Sequence, residues 1–186
     1  MILDSNNINP DDLHILQRQA RSKIKFDAIV DIIEICRDDV FNHPKLESHK
    51  WEWIGAGLYK ECWARDSIVV KFAKHDDPAH QNNSLLEIIR EYDQWINPPD
   101  LDFRKHLSRT YAIVDGEIII QDKVMLPCAT AFNVNRGFHT CCFNDKLYSI
   151  ANKYELTDFI SNHGHTPKGN IVFFDSVWRR SRNVDF

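Results

Sequence analysis

Apolar positions recur along the chain with two periods. In the first 36 residues the spacing is helical. Leu13, Leu16, Ala20 and Ile24 follow one another at roughly three- to four-residue steps, and Ile29, Val30, Ile32, Ile33 and Cys36 repeat the pattern over residues 26–36. Asn9-Pro10-Asp11-Asp12 supplies a start signal, with proline early in the first turn and two acids at the positive end of the helix. Pro44 and the polar residues 43–50 are predicted to end this region, so residues 1–45 read as a helical extension.

From residue 51 the pattern becomes that of strands. Aromatics flank Ile54-Gly55-Ala56-Gly57-Leu58-Tyr59-Lys60, Arg65-Asp66-Ser67 is a turn signal, and residues 68–73 are rich in β-formers. The expectation is a hairpin whose first strand is interrupted by a glycine loop. Residues 74–81 are polar and contain Pro78, which predicts a connector. Asn82-Asn83-Ser84 can cap a helix over residues 85–96, with Leu85, Ile88, Ile89, Tyr92 and Trp95 on its buried side, and Asn97-Pro98-Pro99 ends it. Asp115-Gly116 between two apolar runs is a two-residue hairpin signal. Further on, residues 127–138 read as irregular, 146–153 as a short helix, 162–169 as a polar loop and 171–174 as a strand. The fold class is α+β.

Composition narrows the picture. A chain of 186 residues with 43% hydrophobic content can bury one good core or two small lobes. Its net charge of −4 gives no global basic field for nucleic acid or an anionic membrane, and Arg179, Arg180 and Arg182 read as a solvated end. No run approaches the roughly 20 apolar residues of a membrane span. The polar, acidic first residues do not resemble a signal peptide. Five cysteines without paired spacing fit reduced thiols in a cytoplasm. His139, His163, His165, Cys141 and Cys142 raise a zinc site, but no third and fourth ligands follow at metal-site spacing.

The chemistry-bearing residues stand in a definite order. Gly55 and Gly57 let a backbone approach phosphate and turn amide groups toward it. Lys71 ends the apolar run Val69-Val70 and offers an ammonium near that loop, and the next helix carries Glu87 and Glu91, either of which can pair with it. A hairpin then leads through Ile120-Gln121-Asp122-Lys123. This order resembles the small lobe of protein kinases and of aminoglycoside-phosphotransferase-like kinases, over about residues 51–125. It departs from the protein-kinase pattern at Lys60, where a third glycine is usual, and at Cys62, where valine is usual.

The resemblance implies an antiparallel five-stranded small lobe with one helix (residues 46–125), a reduced large lobe (126–186) and the helical extension (1–45). It implies ATP with Mg²⁺, the phosphates under Gly55 and Gly57 and against Lys71, Lys71 held by Glu91 in preference to Glu87, and adenine near Gln121 and Lys123. His163-Gly164-His165-Thr166-Pro167-Lys168-Gly169-Asn170 resembles the catalytic loop, with Asn170 on the metal and His165 where the catalytic aspartate is expected. A second alignment makes Asp158 the base. Asp185 stands where the last metal aspartate is expected, and Asp175 is a weaker candidate.

Two functions follow from the resemblance. One is a phosphotransferase acting on a protein or small-molecule hydroxyl. The other is an inactive pseudokinase serving as a binding or inhibitory module, such as a regulator, immunity protein or antitoxin. Residues 126–186 are few for a large lobe, so support from the N-terminal helices, or a homodimer, is expected.

Overall fold

The computed structural model describes residues 1–38, 43–75, 78–125, 132–133, 138–139, 145–156, 162–166 and 168–174. Its contacts divide the chain into two units. The first comprises Met1–Tyr92 and Arg109–Lys123, and the second Asp93–Ser108 and Val124–Phe186.

Unit 1 begins with a short strand, β1 (Ile2–Leu3), followed by helices α1 (Pro10–Ala20), α2 (Lys23–Asp38) and α3 (His43–Ser48). Asn9 caps α1 by accepting the Asp11 N–H, and Pro10 opens the first turn, as its missing N–H allows. Strands β2 (Glu52–Ala56), β3 (Lys60–Arg65) and β4 (Ile68–Ala73) come next, then α4 (Pro78–Ile96); α5 (Leu101–Arg104) precedes β5 (Thr110–Val114) and β6 (Ile118–Asp122).

The six strands form one sheet in the order β1-β5-β6-β4-β3-β2. Every pairing is antiparallel except that of β1 with β5. The expected five strands are therefore six, and the sheet is mixed: the two residues of β1 are too few to show a period, yet they extend the edge at β5. Asp115 and Gly116 both adopt positive φ and close the β5–β6 hairpin; Asp66 does the same between β3 and β4.

Helices cover both faces of this sheet. Leu16 of α1, Ile29, Ile32 and Ile33 of α2 and Leu46 of α3 pack against Trp63, Ile68, Val70, Phe72, Ile118 and Ile120. The segment expected as an extension is thus part of the largest core. On the other face, Ile88 of α4, flanked by Leu85 and Tyr92, meets Ala73, Ile113 and Ile119. A register shift in β5 turns Tyr111 and Ala112, adjacent in sequence, into the same core.

Three local expectations are corrected. Residues 43–48 form α3, because Pro44 falls in its first turn, where no helical N–H bond is lost. Helix α4 starts at Pro78 for the same reason, rather than at the Asn82–Ser84 cap. On α4, Ile89 is 45% exposed, so the buried stripe is narrower than expected.

In unit 2, Phe103, Leu147, Ile150, Tyr154, Leu156, Ile171 and Phe173 form a smaller core. It draws on α5, on α6 (Asp145–Lys153) and on a hairpin of β9 (His163–His165) with β10 (Ile171–Phe173); β7 (Phe132–Asn133) pairs with β8 (Phe138–His139). The segment expected as a polar loop therefore contains a strand. Gly164 permits it: a Cβ there would lie 2.8 Å from the Met125 carbonyl oxygen, so the backbone approach that pairs His165 with Met125 requires glycine.

Candidate functional site

Sheet register decides which side chains meet. Across the two-residue Asp66-Ser67 turn, Lys60 faces Ala73 and Cys62 faces Lys71. Because side chains alternate along a strand, Lys60, Cys62 and Lys71 share the α4 face, while Glu61, Trp63 and Phe72 take the other. Glu91, on α4, bonds Lys71 through Oε1 and lies 3.0 Å from Lys60 Nζ through Oε2. Glu87 is engaged elsewhere, accepting from Arg90 Nη1 at 2.9 Å. Of the two helix carboxylates left open by the sequence, Glu91 is the one against Lys71.

The three charged side chains are buried, at 9% exposure for Lys60, 5% for Lys71 and 9% for Glu91. Burying charge costs several kcal/mol per ion, offset only when partners are close and well aligned. The carboxylate shared by two ammonium groups supplies such compensation. Lys60 entered the sequence reading only as a departure from a glycine pattern. Counting register back from the Asp66 turn would have placed it on the lysine face.

Gly55 has φ +150°, a conformation that L-residues rarely adopt, and it sits at a shift in the β2–β3 register. Gly57 opens the hairpin turn, and its N–H donates to the Lys60 carbonyl at 2.8 Å. A Cβ on either glycine would meet nothing within 4 Å, so open space lies over both. Trp53, Ile54 and Leu58 nearby are exposed.

The segment expected near adenine is committed to backbone and side-chain bonds of the sheet. Gln121 is buried and donates from Nε2 to Thr110 Oγ1 at 2.9 Å. The N–H groups of Asp122 and Lys123 donate to the Arg109 and Ser67 carbonyls, both at 2.8 Å. Asp122 also accepts from Tyr111, whose phenol is pushed well above its ordinary range by burial and by that carboxylate. Lys123 lines a cavity of about 440 Å³ with Lys50, Glu52, Ala64, Arg65 and Asp66.

Near this cavity, Asp31 of α2 gathers three donors: His49 Nδ1 at 2.7 Å, Trp51 Nε1 at 2.9 Å and Arg65 Nη1 at 2.6 Å. That cluster ties α2 to the start and end of the β2–β3 hairpin. Cys36 on the same helix is inert as a nucleophile, its thiol raised to about 12 chiefly by burial.

In unit 2, His165 ends β9 opposite Ile171, and its ring lies 6.4 Å from that of buried His163. Asn170 is exposed; its N–H donates to Thr166 Oγ1 at 3.2 Å and its carbonyl accepts the Thr166 N–H at 2.9 Å. His165 and Asn170 are thus brought to the two ends of one hairpin loop. Asp158, Asp175 and Asp185 lie outside the described residues. Among the described residues, no group of three or more His, Cys, Asp or Glu side chains could hold a metal ion, and no helix is long and apolar enough to cross a membrane.

Comparison of the chain with protein-family models, with curated proteins and with solved structures gave no match.

Proposed function

We propose that the chain is a kinase-like phosphotransferase, with unit 1 as the lobe that holds the phosphates of ATP. One observation carries this reading: a lysine on a central strand, buried and bonded to a glutamate of the helix that follows it. Such a pair fixes the ammonium in one place and orientation, and phosphoryl transfer depends chiefly on that kind of positioning and charge stabilisation. The arrangement around the pair supports it. Strand β2, which carries Gly55, lies at the sheet edge, the lysine strand lies further in beside β6, and α4 follows that strand in the chain before the β5–β6 hairpin.

In this reading Lys71 binds phosphate, Glu91 orients Lys71, and the open space over Gly55 and Gly57 admits the anion. ATP would supply the transferable group. His165 or Asp158 would accept the proton of the acceptor hydroxyl, and Asn170 with Asp185 would hold Mg²⁺. The acceptor is a hydroxyl on a protein or a small molecule.

A second reading, an inactive kinase-like module that binds or inhibits a protein partner, draws on a different observation. The Gly57 N–H, in the loop expected over the phosphates, and the N–H groups of Asp122 and Lys123, in the segment expected near adenine, all donate to backbone carbonyls of unit 1. Incubation with γ-labelled ATP and Mg²⁺, alone and with a cell extract, separates the two. The phosphotransferase reading expects label on the protein or on an acceptor, lost in His165→Ala or Asp158→Ala. Nucleotide binding without any transfer would select the inactive module.

A further inference from the structure

We propose that Lys60 is a second phosphate-binding lysine, paired with Lys71 through their shared hold on Glu91; this rests on the reading of unit 1 as a phosphate-holding lobe. Lys60 lies on the same sheet face as Lys71, one strand nearer the edge that carries the glycines. Its own carbonyl accepts the Gly57 N–H, so the residue forms the base of the glycine turn. Its ammonium is 3.0 Å from one oxygen of Glu91 while Lys71 holds the other. Two ammonium groups bonded to one carboxylate lie close enough for a single polyphosphate to reach both.

The energetics favour a function for this lysine. A strand position at 7% exposure is filled at far lower desolvation cost by an apolar residue, and Val69, Ala73 and Ile119 on the same face show that it accepts such residues. Glu91 already has Lys71 as its partner, so neutralising that carboxylate does not call for a second lysine. When phosphate draws on Lys71, Lys60 keeps Glu91 compensated, and the converse holds equally.

The test is titration of Mg²⁺-ATP, and separately of tripolyphosphate, into the full chain and its Lys60→Met, Lys71→Met and doubly substituted forms. Each single substitution is expected to raise Kd about tenfold, the range of a hydrogen bond to a charged group, and the double substitution about 100-fold or more. Lys60→Arg should restore most of the affinity, which a purely apolar packing role would not achieve. Lys60→Gln provides a second variant where Lys60→Met lowers the yield of folded protein. An unchanged Kd in folded Lys60→Met and Lys60→Gln, or a double variant no weaker than Lys71→Met, overturns the proposal. Binding of tripolyphosphate but not ATP, with the same lysine dependence, sustains Lys60 and sinks the nucleotide reading. Wild-type protein that binds neither probe overturns both.

Discussion

The two faces of the unit 1 sheet solve the same packing problem with different chemistry. Against α1, α2 and α3 the sheet presents Trp63, Ile68, Val70, Phe72, Ile118 and Ile120, all at 2% exposure or less, and its polar contacts with Asp31 lie where side chains remain part-exposed. Against α4, Ala73, Ile113 and Ile119 meet Ile88 with Leu85 and Tyr92 beside it, and next to them lies the set Lys60, Lys71 and Glu91. The first face is built for stability, since each fully buried large apolar side chain contributes about 1.5–3 kcal/mol. The second gives up part of that return to hold charges in fixed positions. The opposite face buries a carboxylate too: Glu61 accepts from Trp63 Nε1 at 2.8 Å and lies 3.0 Å from His43 Nε2. What sets the α4 face apart is its pair of buried lysines on one glutamate.

The largest expected effects test whether the faces differ in kind. Phe72→Ala should cost about 3–5 kcal/mol in urea unfolding, by loss of contacts and a residual cavity. Glu91→Gln should cost a similar amount, about 3–5 kcal/mol, because it leaves two buried ammonium groups without their carboxylate. The distinction lies in rescue. Replacing Lys60, Lys71 and Glu91 together by Met should return stability to within about 1 kcal/mol of wild type or above it, as apolar replacements of buried ion pairs do. A triple variant as unstable as Glu91→Gln would show that the charges serve stability and would erase the contrast.

A smaller effect separates the two glycines at the edge of the charged face. Gly55→Ala forces an L-residue to φ +150° and should cost about 1–3 kcal/mol. Gly57→Ala meets no neighbouring atom and needs no unusual φ, so its stability should stay within about 0.5 kcal/mol. Equal losses, measured by the same unfolding curves, would remove the special status of Gly55.

The smallest effect concerns unit 2, where charge is exposed and screened. Asp100 caps α5, and its carboxyl is held below the ordinary range chiefly by the Phe103 N–H, with Tyr154 adding a second bond. A carboxylate with a depressed folded-state pKa contributes stability above its unfolded value of about 4, and loses it as pH falls through the folded value. Asp100→Asn keeps a capping oxygen and should flatten that acid-side loss, seen as a smaller fall in melting temperature between pH 5 and 3. An unchanged pH profile would place the acid sensitivity elsewhere.

Much of this was legible in the sequence where local chemistry dictates structure. Asp115-Gly116 specified its hairpin because few other dipeptides take two positive φ angles, and Asn9-Pro10 specified the start of α1. That Lys71 meets a glutamate of the following helix was legible from order along the chain, whereas Glu87 and Glu91, one turn apart, could be told apart only by the packing of α4 on the sheet. Lys60 was not legible, because it was read against a motif instead of against strand register. Strand β1 has two residues and no period to read, and the burial of α1 to α3 is a tertiary fact that amphipathic spacing announces without naming the partner. His165 in a strand depends on how Gly164 approaches Met125, a contact between residues far apart in sequence.

The central claim is that the buried charged face holds phosphate, and thermal unfolding with and without Mg²⁺-ATP tests it most directly. A ligand at about 100 times its Kd adds roughly 2.7 kcal/mol to the folded state. Wild-type protein should melt measurably higher with the nucleotide, and Lys60→Met/Lys71→Met should lose that rise while still unfolding cooperatively. No shift in wild type, or the same shift in the double variant, would contradict the account.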